Sequence, residues 1–323
     1  MYTDMPEESL WAYRSTQTEP HDFDAFWADT LAETAQHPPT VTVKPVTTGD
    51  VQLATLAVFD VTFSGFRGEP IKAWLRLPAG TTDPLPAIVQ FHGYGRGRGQ
   101  AFENLLWASA GYAHFDVDVR GQGSGGSAGH TPDSGDSGPQ VPGFLTRGID
   151  ARESYYYRRV YTDAVRAVAA ARSLDSVDET RVGVLGTSQG GGIALAAAGL
   201  VPDLAAVVAR VPFLCDFARA SVITDALPYR EIGQYLAVHR GRVASVLDTL
   251  SYFDGVNFAT RARAPITMTA ALMDPICPPS TVFGAFHRYA GPKKITVWPY
   301  NGHEGGAWED DALALRAFRE HLR

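Results

Sequence analysis

A serine in the stretch Gly186-Thr187-Ser188-Gln189-Gly190 has the surroundings that nucleophilic catalysis requires. The stretch fits G-x-S-x-G, in which a sharp strand-to-helix turn presents the serine hydroxyl to substrate. Residues 181–185 before it read as a short buried strand, and residues 190–198 after it as a helix of small side chains. Small side chains matter because such a turn brings two backbones close together. In a chain with 32 glycines the pentapeptide alone says little, and its flanks are what give it weight. A hydroxyl attacks only when a base takes its proton, and the base needs a carboxylate to fix its tautomer. Where this elbow is used, the chain order is Ser, acid, His.

Four of the nine histidines follow Ser188: His239, His287, His303 and His321. His303 stands in the glycine-rich Tyr300-Asn301-Gly302-His303-Glu304-Gly305-Gly306, after the last expected strand, whereas the other three lie in helical contexts. A base belongs on a loop at the C-terminal edge of a parallel sheet, where ligands bind. Asp274 directly follows Met268–Met273 at the end of the penultimate strand, 86 residues after Ser188 and 29 before His303. It is the expected acid. Asp248 and Asp254 compete with it from an inserted segment, and Asp274 could also cap a helix beginning near Pro278. The oxyanion of acyl transfer needs two preorganised donors. One is expected to be the Gln189 N–H, next to the nucleophile; the other comes from the loop after an early strand, Phe91-His92-Gly93-Tyr94-Gly95, with the Tyr94 N–H as candidate. His92 reads as structural, and Tyr94 and Pro228 as walls of a small acyl pocket.

The elements that must hold these residues follow from periodicity. Phe23, Phe26, Trp27 and Leu31 are helically spaced in an N-terminal arm, residues 1–40, ended by Pro38-Pro39. Phe59, Val61 and Phe63 alternate with polar residues, and Ile71, Ala73, Leu75 and Leu77 continue the period of two after a turn at 65–70, which predicts an antiparallel hairpin with one solvated face. Short apolar runs of the buried parallel kind follow at 87–91, 112–119, 182–185, 205–209, 265–271 and 295–298. Helices are expected at 161–172 and 310–322, the second with acidic residues at its start. Strands alternating with helices imply right-handed crossovers and a mostly parallel, doubly wound sheet in a single domain spanning 1–323. An antiparallel hairpin leading into such a sheet is the α/β-hydrolase layout. Residues 121–150 read as a long loop, and residues 213–263, with Tyr229, Tyr235, Tyr252 and Phe253, as a helical cap inserted between core strands.

Composition narrows the partners. The net charge of −7 argues against nucleic acid and anionic membrane, and no apolar run approaches the ~20 residues of a membrane span. The acidic N-terminus lacks an apolar signal core, so a cytoplasmic protein is expected. Cys215 and Cys277 form no CxxC pair; two buried free thiols are expected, with one disulfide as the alternative. No metal or other cofactor is expected: His303-Glu304 is not HExxH, since Ala307 occupies the second histidine's place, and there is no Walker A sequence. Gly121-Gln122-Gly123-Ser124-Gly125-Gly126 matches GxGxxG but leads into a proline-containing stretch rather than the helix a dinucleotide needs. The cluster Tyr155-Tyr156-Tyr157-Arg158-Arg159 reads as packing.

Taken together, Arg120-Gly121-Gln122, Gly186-x-Ser188-Gln189-Gly190-Gly191 and His303-Glu304 resemble carbohydrate esterase family 7, the acetyl xylan esterases and cephalosporin C deacetylases. His92-Gly93-Tyr94, Asp274-Pro275-Ile276-Cys277-Pro278-Pro279, Ser251-Tyr252-Phe253-Asp254 and Phe23-Asp24-x-Phe26-Trp27 extend the resemblance over nearly the whole chain. It implies a triad of Ser188, Asp274 and His303, with Tyr94 and Gln189 as oxyanion donors. It further implies deacetylation of small xylo-oligosaccharides and of cephalosporins in a cytoplasmic homo-oligomer, commonly a hexamer. The rival readings are a non-catalytic binding protein on the same scaffold, a peptidase or acyltransferase using the same elbow, and an oxidoreductase built on the GxGxxG match.

Overall fold

The computed structural model describes residues 1–46, 53–134 and 143–323. Its N-terminal arm carries α1 (Glu7–Ala12) and α2 (Phe23–Ala35). Phe23, Phe26 and Trp27 are buried as the spacing requires, against Tyr252, Phe253 and Phe258. Leu31 is only half-buried; Thr30 and Thr34 take the inner face instead. The reason is polar: the Arg158 Nε donates to the Thr30 hydroxyl at 3.0 Å, so that face meets a guanidinium rather than an apolar wall.

The chain then builds a nine-stranded sheet. Strands β1 (Val41–Pro45), β2 (Leu56–Ser64) and β3 (Pro70–Pro78) are antiparallel, with Val61 opposite Ala73 and Phe63 opposite Ile71. The expected solvated face of this hairpin is largely covered. Trp74 and Arg76 are buried on it, donating to the carbonyls of Gly99 and Ala101 at 3.0 Å each, and Arg98 stacks 3.8 Å above the Trp74 ring. Polar alternation there marks a face roofed by a loop through backbone hydrogen bonds, not one left to water.

Next come β4 (Leu85–Phe91), α3 (Leu106–Ser109), β5 (Ala113–Val117), α4 (Tyr156–Arg172), β6 (Val177–Thr187), α5 (Gln189–Leu200) and β7 (Ala206–Arg210). Four helices follow: α6 (Phe217–Ile223), α7 (Arg230–Val238), α8 (Val243–Ser251) and α9 (Gly255–Ala259). The chain closes with β8 (Ile266–Ala271), α10 (Pro279–Arg288), β9 (Lys293–Trp298) and α11 (Trp308–Leu322). The sheet order is β1-β2-β3-β5-β4-β6-β7-β8-β9, parallel from β5 onward. Helices cover both faces, α4, α5 and α10 on one side and α3 with α11 on the other, where Phe318 meets Trp107 edge-on at 5.9 Å. This is the α/β-hydrolase fold.

Helix α4 begins at Tyr156, earlier than periodicity alone indicates, because Tyr155, Tyr156 and Tyr157 are wholly buried and belong to the helical core. The described residues of the 121–150 stretch contain no helix or strand; residues 135–142 of that expected loop lie outside the described residues. Cys215 and Cys277 are free, buried thiols. Among the described residues no helix is long and apolar enough to cross a membrane.

Candidate active site

Between the end of β6 and the start of α5, Ser188 adopts φ 58° and ψ −121°, a backbone region that costs a side-chain-bearing residue about 1–3 kcal/mol. The neighbours impose it. A Cβ on Gly186 would lie 2.0 Å from the Gly190 carbonyl carbon, and one on Gly190 would lie 2.1 Å from the Phe91 oxygen. The turn is held from both sides: the Ser188 N–H donates to the Arg210 carbonyl, and the Phe213 N–H donates to the Ser188 carbonyl, each at 2.9 Å.

Asp274 sits beyond β8, fully buried. One of its oxygens, Oδ1, accepts the N–H groups of Ile276 and Cys277 at 2.8 and 2.9 Å. It thus braces its own turn, whereas α10 starts later with Pro278 at its N-cap, so the alternative helix-capping role is not the one observed. Met273 donates its N–H to the Asn301 carbonyl at 3.0 Å and draws the post-β8 and post-β9 loops together. In that second loop Glu304 accepts from the Asn301 side chain and the Gly302 N–H, each at 3.1 Å, which shapes the turn bearing His303. His303 Nδ1 lies 2.8 Å from Asp274 Oδ2, and Nε2 lies 2.9 Å from Ser188 Oγ. The structure therefore brings Ser188, His303 and Asp274 into one hydrogen-bonded row.

The Gly93 Cα lies beside the elbow, where an added Cβ would be 4.0 Å from the Ser188 Cβ. The backbone N–H groups of Tyr94 and Gln189 have no acceptor among the described residues. Gln189 opens α5, so its N–H is one of the donors a helix cannot satisfy internally. Its side chain is turned away from solvent: it accepts from Tyr157 Oη and Gln122 Nε2, both at 2.8 Å. Gln122 Oε1 accepts the Gly95 N–H at 2.6 Å, tying the Tyr94 loop to the elbow's first helical residue. Arg120, two residues earlier, is clamped by both oxygens of Asp163 at 2.6 and 2.8 Å. Arg120-Gly121-Gln122 is thus the brace between two loops, and the GxGxxG match that overlaps it supplies the turns Gly123 and Gly125 make against the Gly95 carbonyl.

A cavity of about 870 Å³ opens over Ser188 and His303, lined also by Tyr94, Arg96, Leu227, Pro228, Glu231 and Ile276. Pro228 and Tyr94 are thus both among the lining residues. Glu231, on α7, has no sequence signal of its own; it is an acid in an amphipathic helix. It is 3% exposed, and burial pushes its carboxyl up to about 6 against the opposing hydrogen bonds from Tyr94 and Leu145.

Donor atoms of Asp274, Cys277 and His303 lie within 4.8 Å of one another. A metal there would need the Asp274 and His303 atoms that already bond each other, so this donor set fits a hydrogen-bonded pair better than a cation site. The remaining candidates are accounted for elsewhere. His92 Nε2 is 2.6 Å from Asp116 Oδ1, His287 Nε2 is 3.0 Å from the Leu10 carbonyl, and His239 stacks on Tyr235 at 4.3 Å. His321 lies in α11 beside Glu320. Asp248 is exposed on α8, and buried Asp254 caps α9, accepting the N–H groups of Asp216, Phe217 and Val256 at 2.8–2.9 Å.

Similarity to known proteins extends over nearly the whole chain. The family model described as acetyl xylan esterase (AXE1) matches residues 1–318. An acetyl xylan esterase from Paenibacillus sp. R4 is 40% identical, with a TM-score of 0.93 over 98% of this chain and 100% of that one. Acetyl xylan esterase 1 from Thermoanaerobacterium sp. JW/SL YS485 is 34% identical, with a TM-score of 0.90 over 98% and 99%. The acetyl esterase Axe7A of Xylanibacter ruminicola is 29% identical over 88% of this chain, which spans 63% of that protein's length. The α/β hydrolase GrgF of Penicillium sp. sh18, at 17% identity and a TM-score of 0.56, shares the fold alone.

Proposed function

The chain belongs to the acetyl xylan esterase family, a family of carboxylic ester hydrolases, and on that premise we propose that it removes acetyl groups from small acetylated sugars, with Ser188 as nucleophile. The observation that carries this reading is the row Ser188 Oγ, His303 Nε2, His303 Nδ1, Asp274 Oδ2, with links of 2.9 and 2.8 Å, at the floor of a cavity.

In the proposed reaction the His303 Nδ1–H donates to Asp274, which leaves Nε2 free to accept the Ser188 proton. Oγ bonds to the acetyl carbonyl carbon, and the carbonyl oxygen gains the negative charge. The Tyr94 and Gln189 N–H groups, which have no acceptor among the described residues, receive that charge. The C–O bond to the sugar then breaks, the alkoxide takes the proton from Nε2, and acetyl-Ser188 remains. A water molecule, deprotonated by Nε2, attacks the acetyl carbon; Ser188 recovers its proton and acetate departs. Tyr94, Leu227, Pro228 and Ile276 line the cavity together with Ser188, and we take the apolar side chains of Tyr94 and Pro228 as the walls that favour acetyl over longer acyl groups. The same acetoxy chemistry extends the proposal to cephalosporin-type acetate esters.

Tyr300 and Trp308 flank the His303 loop with 82% and 84% of their surface exposed. Exposed aromatic surface of this kind favours a homo-oligomer, a hexamer by family resemblance, and the same resemblance makes a cytoplasmic location part of the proposal. Light scattering tests the assembly. The activity is tested by acetate release from acetylated xylobiose, cephalosporin C and a peptide amide panel in parallel. Release from the acetate esters alone, abolished in Ser188→Ala, is the expected result; cleavage of the amides instead, or failure of a fluorophosphonate to label Ser188, would sink it.

A further inference from the structure

Glu231 occupies a junction that the row of Ser188, His303 and Asp274 does not explain. It projects from α7, in the segment inserted between β7 and β8, and both its oxygens are engaged. Oε1 accepts the Tyr94 hydroxyl at 2.7 Å, and Oε2 accepts the Leu145 N–H at 2.9 Å. The Tyr94 hydroxyl in turn accepts the Phe144 N–H. Gly143, at φ +121°, lets this loop come so near that a Cβ on it would lie 2.0 Å from Glu231 Oε1. One carboxylate thus fastens three segments: the inserted helix, the 143–145 turn and the loop whose backbone offers the Tyr94 N–H.

We propose that Glu231 is a positioning residue for acetyl transfer, acting through the Tyr94 hydroxyl to hold the Tyr94 N–H aimed at the oxyanion. The proposal rests on the esterase reading above. Its physical basis is the lever a tyrosine provides. The ring is rigid, so pinning its hydroxyl at the far end restricts rotation of the peptide at the near end. At that near end, the Gly95 N–H is already fixed by Gln122 at 2.6 Å. The hydroxyl anchor adds to the backbone bonds of this loop and narrows the orientations open to the Tyr94 peptide. With the hydroxyl released, the loop keeps its backbone bonds, from the Arg96 N–H to the Gly93 carbonyl at 3.1 Å and at Gly95 to Gln122, Gly123 and Gly125, but its side-chain end is free, and the donor spends less of its time aimed at the oxyanion. Because the oxyanion exists only after attack, the loss appears in kcat and not in KM.

The test is a double-mutant cycle on p-nitrophenyl acetate, with Tyr94→Phe, Glu231→Ala and the double variant. Removing an oxyanion donor costs on the order of 10²–10³ in kcat, so misaiming one is expected to cost about tenfold. Each single variant should lose about tenfold in kcat with KM within about twofold, and the double variant should lose about tenfold rather than a hundredfold, since both act on one link. Glu231→Gln, which keeps one acceptor oxygen, should fall between Glu231→Ala and the wild type. Singles that turn over like the wild type, losses that multiply in the double variant, or a change confined to KM would each overturn the proposal. If Glu231→Ala does not fold, Tyr94→Phe, which deletes one oxygen and leaves the backbone N–H, decides alone. An inert wild type would overturn the esterase reading and this proposal together, whereas an active wild type with unaffected variants overturns only this one.

Discussion

Gly190→Ala should cripple the enzyme although it adds one methyl group in a helix, where alanine is the better residue. The intrinsic helical gain of Ala over Gly is about 1 kcal/mol. Against it, the new Cβ would stand 2.1 Å from the Phe91 oxygen and 2.7 Å from its carbonyl carbon. An ordinary contact is 3.4 Å or more, so two backbones must separate by about 1.3 Å. No flexible side chain can absorb this, since the struck atoms belong to the last residue of β4. Overpacking of this kind destabilises by about 1–3 kcal/mol, which exceeds the helical gain. The displaced carbonyl leads directly into His92-Gly93-Tyr94, and α5 carries Gln189, so the two expected oxyanion donors move apart. A misplacement near 1 Å costs on the order of 10² in rate. The expected result is a kcat on p-nitrophenyl acetate about a hundredfold below wild type, with a lowered melting temperature by circular dichroism. Gly233→Ala is the control: it lies in α7 with nothing within 4 Å of the added Cβ, and should be neutral or stabilising by about 0.5–1 kcal/mol. A Gly190→Ala enzyme with wild-type kcat and melting would refute the claim that this contact sets the oxyanion geometry.

Other outcomes follow from the same contacts. Ser188→Ala should retain less than about a thousandth of the esterase activity, because members of such a row act as a unit, and acetate release measures it directly. Asp274→Asn should lower kcat by about 10⁴ with little loss of folding, since an amide in place of Oδ2 favours the wrong tautomer of His303; near-ultraviolet circular dichroism separates the two effects. Trp27→Ala should destabilise by about 3–5 kcal/mol in urea unfolding, because it vacates a buried ring site and orphans the Tyr252 carbonyl that its Nε1 reaches at 2.9 Å. Burial, and then the charge of Asp216, raise the Asp254 carboxyl to about 7, so the folded state binds a proton that the unfolded state has released. That contribution is complete below about 3.8 and is lost as pH rises toward 7, so the unfolding free energy should decline across this window. A flat urea midpoint between pH 4 and 7 would contradict the assignment.

What could be read from the chain, and what could not, divides on a physical line. Parallel strands are buried on both faces, so their composition alone marks them: residues 87–91 and 182–185 fall within strands of the structure, and 265–271 does so except for Pro265. Ser188, Asp274 and His303 are legible because each lies in the loop or turn that follows a parallel strand, at the sheet edge where ligands bind. Periodicity failed where polar atoms face inward. Thr30 and Thr34 displaced Leu31 from the inner face of α2, and Trp74 with Arg76 turned an apparently solvated hairpin face into a buried one. For Thr30, Trp74 and Arg76 a guanidinium or a backbone carbonyl supplies the partner, and no local pattern announces a partner that is distant in sequence. Glu231 is the extreme case: its contacts lie 137 and 86 residues away, and nothing around it in α7 differs from an ordinary exposed acid.

The same division explains how a strained serine can persist. An unfavourable φ and ψ at Ser188 survives only if its surroundings leave no alternative. Three glycines without room for a Cβ, at 186, 190 and 192, close the escape by translation. Backbone bonds to Arg210 and Phe213 close the escape by rotation. Gln122 and Gln189 then lock the elbow to the Tyr94 loop, and Glu231 locks that loop to the inserted helices. Each brace is a polar group buried with its partner, so removing either member leaves an unpaired buried atom at a penalty of about 1–3 kcal/mol. The strain at the nucleophile is therefore distributed over a network whose outermost member is in α7. A motion of the inserted segment would reach the oxyanion donor before it reached Ser188 itself, which is why the Glu231 variants are expected to change kcat while fluorophosphonate still labels the serine.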